Sequence, residues 1–385
     1  MEHTYVPIMV RKTKMKVVHV IIDLNVGGAE LMLQRLIKHT ADSCVEHIVI
    51  SLTDIGTLGE AILKSGVEVK CLNINSPIKY INGLWRLYKL FNKIKPDVVH
   101  TWMYHSDLIG GISAKIAGVK KIIWCVRSTD ISKGGSKLTL LIRWLCAKIS
   151  SFIPDTIIYA ANASREVHEQ CGYDKHKSLV ISNGFDLTKL SPDRFSRSNL
   201  RKEIGLAEDD LVISSVGRFS PVKDHSTFIS AALLLAEEFS NIRFLLVGRD
   251  LTSQNKMIMS QVSTSSHFDK FLLLGERSDV PACLYASDIF CLHSVTEGFP
   301  NVLGEAMAMG IPAVTTNVGD AAFLLDRENF VVPAGNSYLL AQKLREIILL
   351  TREERIKLGH MLRLRVESNF SMDTVANKYL SVYEN

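Results

Sequence analysis

The sequence predicts an α/β architecture: two parallel-sheet domains with a cleft between them. Three observations carry this. Short apolar, β-branched runs alternate with longer helical patterns from Lys16 to Tyr159. The alternation breaks in a turn-rich, aperiodic stretch around Ser182–Phe195. It then restarts at Leu211. Strands alternating with helices imply a parallel sheet covered by helices, and a loss of periodicity rich in turn formers marks a boundary.

The elements follow in order. Lys16–Asp23 (KVVHVIID) reads as a strand, Leu31–His39 as a helix and His47–Leu52 as a strand. Leu58–Ser65 is helical, Val67–Leu72 a strand, Ile81–Ile94 a helix and Asp97–His100 a strand. Ser106–Ala117 is a helix, Lys121–Val126 a strand, Lys137–Phe152 a helix and Thr156–Tyr159 a strand. Beyond the break come strand Leu211–Val216, helix Asp224–Phe239, and strands Arg243–Val247 and Phe271–Leu274. Helix Val280–Ala286, strand Ile289–Leu292, helix Asn301–Met309 and strand Ala313–Thr315 complete the second unit. A helical tail runs from Ser337 to the end. The units are placed at 1–190 and 191–367, with 368–385 as a final helix. Residues 1–14, ahead of Met15, read as a tail or an upstream-start extension.

Composition narrows the class. The 385 residues are 47% hydrophobic and 22% charged, which excludes a disordered chain. The seven cysteines form no CxxC pair, so neither a disulfide framework nor a zinc site is expected. No run reaches the length of a membrane span, and the N-terminus has no h-region. A cytoplasmic setting is the natural expectation. Residues 1–190 hold 25 Lys+Arg against 16 Asp+Glu, a charge of +9, whereas residues 191–385 carry −4. The first half therefore tolerates phosphates or an acidic lipid surface; nucleic acid is not an expected partner.

Parallel sheets bind ligands at the carboxyl ends of their strands, so the chemistry is sought there. Gly27-Gly28 follows the first strand and permits close backbone approach to an anion, although a plain tight turn reads as well. Gly217-Arg218 follows the strand Leu211–Val216, with Lys223 five residues on. Arginine and lysine there suit a diphosphate; surface ion pairs are the plainer reading. After Ile289–Leu292 comes a loop with Glu297, Gly298, Phe299, Pro300, Asn301 and Val302, then Glu305 one turn into the helix. Both carboxylates can face the cleft from that helix N-terminus.

These residues carry a resemblance. Glu297–Glu305 is similar to the E-x7-E motif of retaining family 4 glycosyltransferases, and Gly217-Arg218 with Lys223 to that family's diphosphate grip. Leu274–Pro281, Gly27–Glu30 and Ser182–Asp186 fit the same pattern in the same order. The chain most resembles bacterial enzymes building O-antigen, capsule or exopolysaccharide. The resemblance implies the GT-B fold of two Rossmann-like domains, the first binding acceptor and the second a nucleotide sugar, with the last helix crossing back. It also implies that Arg218 and Lys223 neutralise the donor diphosphate, that Glu305 holds the ribose and that Glu297 meets the donor sugar. Backbone around Gly298–Val302 and Gly27-Gly28 would hold sugar and phosphate. Glu276 and Arg277 belong to a segment cradling the base, expected to be that of a UDP-sugar.

The family often carries a histidine at the end of the strand read as Asp97–His100. His100 reads as a core histidine; His105, expected just before the next helix, is the favoured acid/base and acceptor-facing residue. Arg127 meets acceptor or phosphate, or forms a structural salt bridge. No DxD triplet occurs, so neither a metal nor another cofactor is expected. One departure is Gly248-Arg249-Asp250, where relatives often carry a glycine pair.

The acceptor expected is a glycan or a lipid-diphosphate-linked glycan. Gly83–Lys95 and Lys137–Phe152 are basic, amphipathic and bear Trp85 and Trp144, which suits an anionic membrane surface at the inner face of the cytoplasmic membrane. Helices with a solvated basic face explain the same pattern. A nicotinamide dehydrogenase is disfavoured, because neither Gly27-Gly28 nor Gly248 completes G-x-G-x-x-G. A GT-B binding protein without transfer activity, or a synthase or phosphorylase, remains as the alternative.

Overall fold

The computed structural model describes residues 14–74, 76, 79–129 and 136–385. The first sheet has strands β1 (Met15–Ile21), β2 (Val45–Ser51), β3 (Glu68–Cys71), β4 (Val98–Trp102), β5 (Lys121–Val126), β6 (Thr156–Tyr159) and β7 (Ser178–Val180). Their order is β3-β2-β1-β4-β5-β6-β7, and every pairing is parallel. The second has β8 (Leu211–Val216), β9 (Ile242–Val247), β10 (Phe271–Leu273), β11 (Ile289–Leu292), β12 (Ala313–Thr316) and β13 (Val331–Val332). Its order is β10-β9-β8-β11-β12-β13, again all parallel. In each sheet the winding reverses beside the first strand, between β1 and β4 and between β8 and β11. That reversal opens a crevice at the strands' carboxyl ends. The expected pair of parallel-sheet α/β domains is therefore present.

Several elements lie outside the sequence reading. Helix Asn162–Gln170 and β7 extend the first sheet, and β13 extends the second. The tail from Ser337 is three helices, 337–348, 352–370 and 372–384. Thr351 breaks it first. Its hydroxyl accepts the Glu354 N–H at 3.2 Å, while Glu354 Oε2 accepts the Thr351 N–H at 2.8 Å, a reciprocal cap. Ser371 then caps the last helix through Thr374 N at 3.2 Å.

That last helix lies on the first sheet. Met372, Val375, Ala376, Tyr379 and Tyr383 are buried with Val17, Ile21 and Trp102. Beside them runs a chain of imidazoles. The indole N–H of Trp102 only donates, so His19 Nδ1 accepts it at 3.3 Å. His19 Nε2 then donates to His47 Nδ1 at 2.9 Å, and His47 Nε2 to Thr40 Oγ1 at 2.8 Å. Thr40 finally donates to the Leu36 carbonyl at 2.7 Å. Every link needs neutral rings, and burial enforces this. It lowers His47 to about 4 and His19 well below its ordinary value.

Depressed histidines stabilise the fold above the unfolded value near 6.5, and that stability is lost as pH falls toward the folded value. The His47 shift corresponds to up to about 3 kcal/mol. Urea midpoints should fall between pH 6.5 and 4, and His47→Gln should flatten that dependence. Parallel profiles for the two proteins would remove His47 as the cause.

Candidate functional site

Between the sheets lies a cavity of about 560 Å³. The helix Gly28–His39 contributes Leu31, Gln34 and Arg35. The second domain contributes Gly217, Lys223, Glu297, Pro300, Asn301, Val302 and Glu305. A smaller hollow of about 350 Å³ shares Val216, Gly217 and Val280 and adds Arg218, Arg249, Glu276 and Arg277. Together they form one crevice at the carboxyl ends of β8, β9 and β11.

Strand-end glycines make its floor. Gly217 N donates to Val247 O at 2.9 Å, and Phe219 N to Arg249 O at 2.8 Å. A Cβ on Gly248 would lie 2.2 Å from the Gly217 carbonyl oxygen, so these two loops touch backbone to backbone. Asp250 takes φ +64 there, where the family's glycine pair would place a glycine.

Lys223 projects from the short turn Pro221–Lys223 and pairs with Glu297 at 2.5 Å. Ser294 Oγ donates to the same carboxylate oxygen at 2.6 Å. His293 braces the turn from behind: its Nδ1 donates to Lys223 O at 2.5 Å, and its Nε2 accepts from Ser215 Oγ at 2.6 Å. Burial lowers His293 to about 3, so the ring stays neutral. Glu305, on the helix Asn301–Ala308, is pushed up by burial, an effect opposed by Arg35 across the cleft. Arg218 is exposed at the rim, as is Glu276. Arg277 is tied to Asp279 at 2.7 Å and to Glu203 at 3.2 Å.

Gly298 lies against Thr129 of the first domain, which a Cβ would meet at 2.4 Å. Phe299 is buried and stacks on Phe185. Asn301 Oδ1 accepts from Asn183 Nδ2 at 2.6 Å. Gly27 is the N-cap of the helix Gly28–His39, with the Glu30 carboxylate folded over it, while Gly28 is open to solvent. Neither glycine lines the cavity.

His105 is a correction to its expected place. The helix begins at Tyr104, directly after Met103 in a positive-φ conformation (φ +72), so His105 lies within it. Its ring meets Tyr80 edge-on at 6.0 Å and lines neither hollow. His100 is buried in β4 and bonded to Tyr383 Oη at 2.8 Å. Arg127 is held by Tyr379 Oη at 2.9 Å and by Asn183 Oδ1, over the Trp102 ring. It therefore braces the domain junction. Among the described residues no group of three or more His, Cys, Asp or Glu side chains is placed to hold a metal ion.

The comparisons agree with this geometry. The family described as Glycosyltransferase Family 4 matches residues 26–189, and Glycosyl transferases group 1 matches residues 196–361. The chain is 32% identical over 285 residues to the Escherichia coli UDP-Gal:alpha-D-GlcNAc-diphosphoundecaprenol alpha-1,3-galactosyltransferase, covering 72% of this chain and 71% of that one. It is a family 4 glycosyltransferase of GT-B fold.

Other likenesses extend over the same architecture. The Staphylococcus aureus capsular polysaccharide biosynthesis glycosyltransferase CapM is 26% identical over 313 residues, covering 79% of this chain and 80% of its own. The structure of Anabaena Alr3699/HepE in complex with UDP superposes with a TM-score of 0.81 at 21% identity, covering 96% of this chain and 100% of that one.

Four residues of this glycosyltransferase's cleft escaped the sequence reading. Arg35 comes from the opposite domain, His293 acts through Ser215 and Lys223, Asp320 reaches Asn162 and Ala163 in the first domain, and Ser294 holds Glu297 three residues on. Gly319 offers a direct check. It takes φ +52, and a Cβ would lie 2.4 Å from the carbonyl oxygens of Glu297 and Gly298. Gly319→Ala should destabilise the protein by about 1–3 kcal/mol, read as a lower thermal midpoint. An unchanged midpoint would show that this loop is not so constrained.

Proposed function

We propose that the enzyme is a retaining hexosyltransferase that moves a sugar from a UDP-sugar to a lipid-diphosphate-linked glycan in bacterial surface polysaccharide synthesis. One observation carries the reading: Lys223, held by Glu297 on the cleft floor with Arg218 at the rim. A diphosphate entering there takes Lys223 from Glu297 and releases that carboxylate toward the sugar. As the anomeric C–O bond breaks, charge collects on the departing diphosphate oxygen. Lys223 and Arg218 neutralise it in a site already oriented for the purpose. Glu305 accepts the ribose hydroxyls, and Glu297 supports positive charge at the anomeric carbon.

Retention is supported by where the carboxylates lie. Glu297 and Glu305 share one loop and helix; the other carboxylate lining the cavity, Asp186, is already engaged by Thr188 Oγ1 at 2.6 Å and by Lys38 at 3.6 Å. A double displacement needs a carboxylate facing the sugar from the opposite side. Front-face attack by the acceptor accords with this lining. Because the cations serve the leaving group, transfer should continue in EDTA.

UDP-galactose is the first donor to test, and a diphosphoundecaprenol-linked GlcNAc the first acceptor, because the Escherichia coli relative bears those names. The cytoplasmic side of the membrane is supported by two features. All seven cysteines are free, as a reducing compartment favours. The helices Tyr80–Ile94 and Lys137–Ile149, which flank the helix Tyr104–Ile116, expose Ile81, Trp85 and Trp144, and Phe152 is exposed just beyond the second of them, with Lys89 over the Trp85 ring and Lys148 over Trp144. Aromatic side chains beside lysines suit an anionic bilayer.

Two outcomes test this. Lys223→Ala, Glu297→Ala and Arg218→Ala should each reduce UDP-sugar turnover by about 100-fold or more. Equal turnover in all four proteins would refute the site. Trp85→Ser with Trp144→Ser should weaken binding to phosphatidylglycerol vesicles by about tenfold or more. Unchanged binding would place the membrane face elsewhere.

A further inference from the structure

The loop after β12 ends in Asp320, which is buried at 3% exposure. Its carboxylate does not serve its own domain. Asp320 Oδ2 accepts the Asn162 N–H at 2.7 Å and the Asn162 side-chain amide at 3.1 Å, and Oδ1 accepts the Ala163 N–H at 3.0 Å. These are the first free donors of the helix Asn162–Gln170 in the other domain, whose N-cap residue, Ala161, supplies no side-chain acceptor. A carboxylate at a helix N-terminus completes the unpaired N–H groups and meets the positive end of the dipole.

The same residue grips the donor loop. Asp320 N donates to Gly298 O at 2.8 Å, and Gly319 packs on the carbonyls of Glu297 and Gly298. Thr316 Oγ1, four residues earlier, donates to Ser294 O at 2.7 Å. One short segment thus touches the Glu297 loop on one side and the first domain on the other.

We infer that Asp320 is an interdomain positioning residue: it caps the Asn162–Gln170 helix in trans and so fixes the Glu297–Pro300 loop against the first domain. The capped state is the closed cleft. Asp320 touches neither donor nor acceptor, and it acts by setting where Glu297 stands relative to Arg35 and Gln34. The inference goes beyond the functional reading; only its kinetic arm rests on that reading.

Two variants approach the contact from opposite domains. Asp320→Asn keeps the shape, removes the charge and turns an amide toward N–H donors. Asn162→Pro removes two of the three donors. It is suited to folding, because proline is favoured at the first helical position and Ala161 is already extended, as a residue before proline prefers. Small-angle scattering without ligand should give a larger radius of gyration for both variants than for wild type. Hydrolysis of UDP-galactose, which needs the assembled cleft, should fall about 10–100-fold in both. UDP titrated onto Asp320→Asn should bind within about twofold of wild type, since Lys223 and Arg218 are untouched.

Radii and hydrolysis equal to wild type in both variants would overturn the inference. So would a parallel loss of UDP binding, which would make Asp320 part of the donor site. If wild type itself binds no UDP, the functional reading fails, and the scattering arm still decides the contact.

Discussion

The cleft depends on one crossing point, where the chain between the two sheets meets the chain returning from the second. Phe185 N donates to Phe370 O at 2.8 Å, and Met372 N to Phe185 O at 2.9 Å. The Phe185 ring fills the space beside Gly304, whose Cβ would lie 2.0 Å from it. Gly184 is pressed on Met372 and Val375 in the same way. Both covalent connections between the domains therefore pass through one packed knot, and the last helix leaves it to join the core of the first sheet. With its hinge so placed, the carboxyl ends of both sheets face the same space.

Charge placement in that space follows from partial burial. A lysine without a partner in the crevice would lose hydration with no return. Pairing with Glu297 at 2.5 Å holds Lys223 oriented and ready for exchange against a phosphate oxygen. Glu305 is handled differently: burial raises it, and the Arg35 guanidinium of the other domain opposes the rise. Its ionisation is thus coupled to the domains standing together. The rim arginine, Arg218, is left in water, where a guanidinium is inexpensive to hold. The site combines a paired cation at depth with an open one at the entrance.

Much of this was legible in the sequence, and what was not has physical reasons. β1, β5 and β8 are β-branched runs buried on both faces, so their pattern is continuous and their position plain. The helix Asn162–Gln170 (NASREVHEQ) is polar, with only Ser164 and His168 buried, so no apolar stripe announces it. β13 has two residues, fewer than any periodicity can reveal. The three-helix tail was readable at Thr351, where T-x-x-E spells the reciprocal cap. His105 was misplaced because Met103 turns the chain through a positive-φ conformation that methionine rarely adopts, so the helix starts two residues early, at Tyr104. In the site, Lys223 and Glu297 were recognisable singly. Their pairing spans 74 residues and exists only once β8 and β11 lie side by side. Arg35 reaches the site from across a domain boundary, and Asp320 reaches across it the other way to the helix Asn162–Gln170; no local spacing encodes either.

In the proposed reaction Lys223 exchanges Glu297 for a donor diphosphate. A crystal structure of the enzyme with UDP tests it most directly. Diphosphate oxygens are expected within about 3 Å of Lys223 Nζ and the Arg218 guanidinium, with Glu297 released from Lys223 and the ribose hydroxyls on Glu305. UDP bound elsewhere, or bound here with the Lys223–Glu297 pair intact, would contradict it.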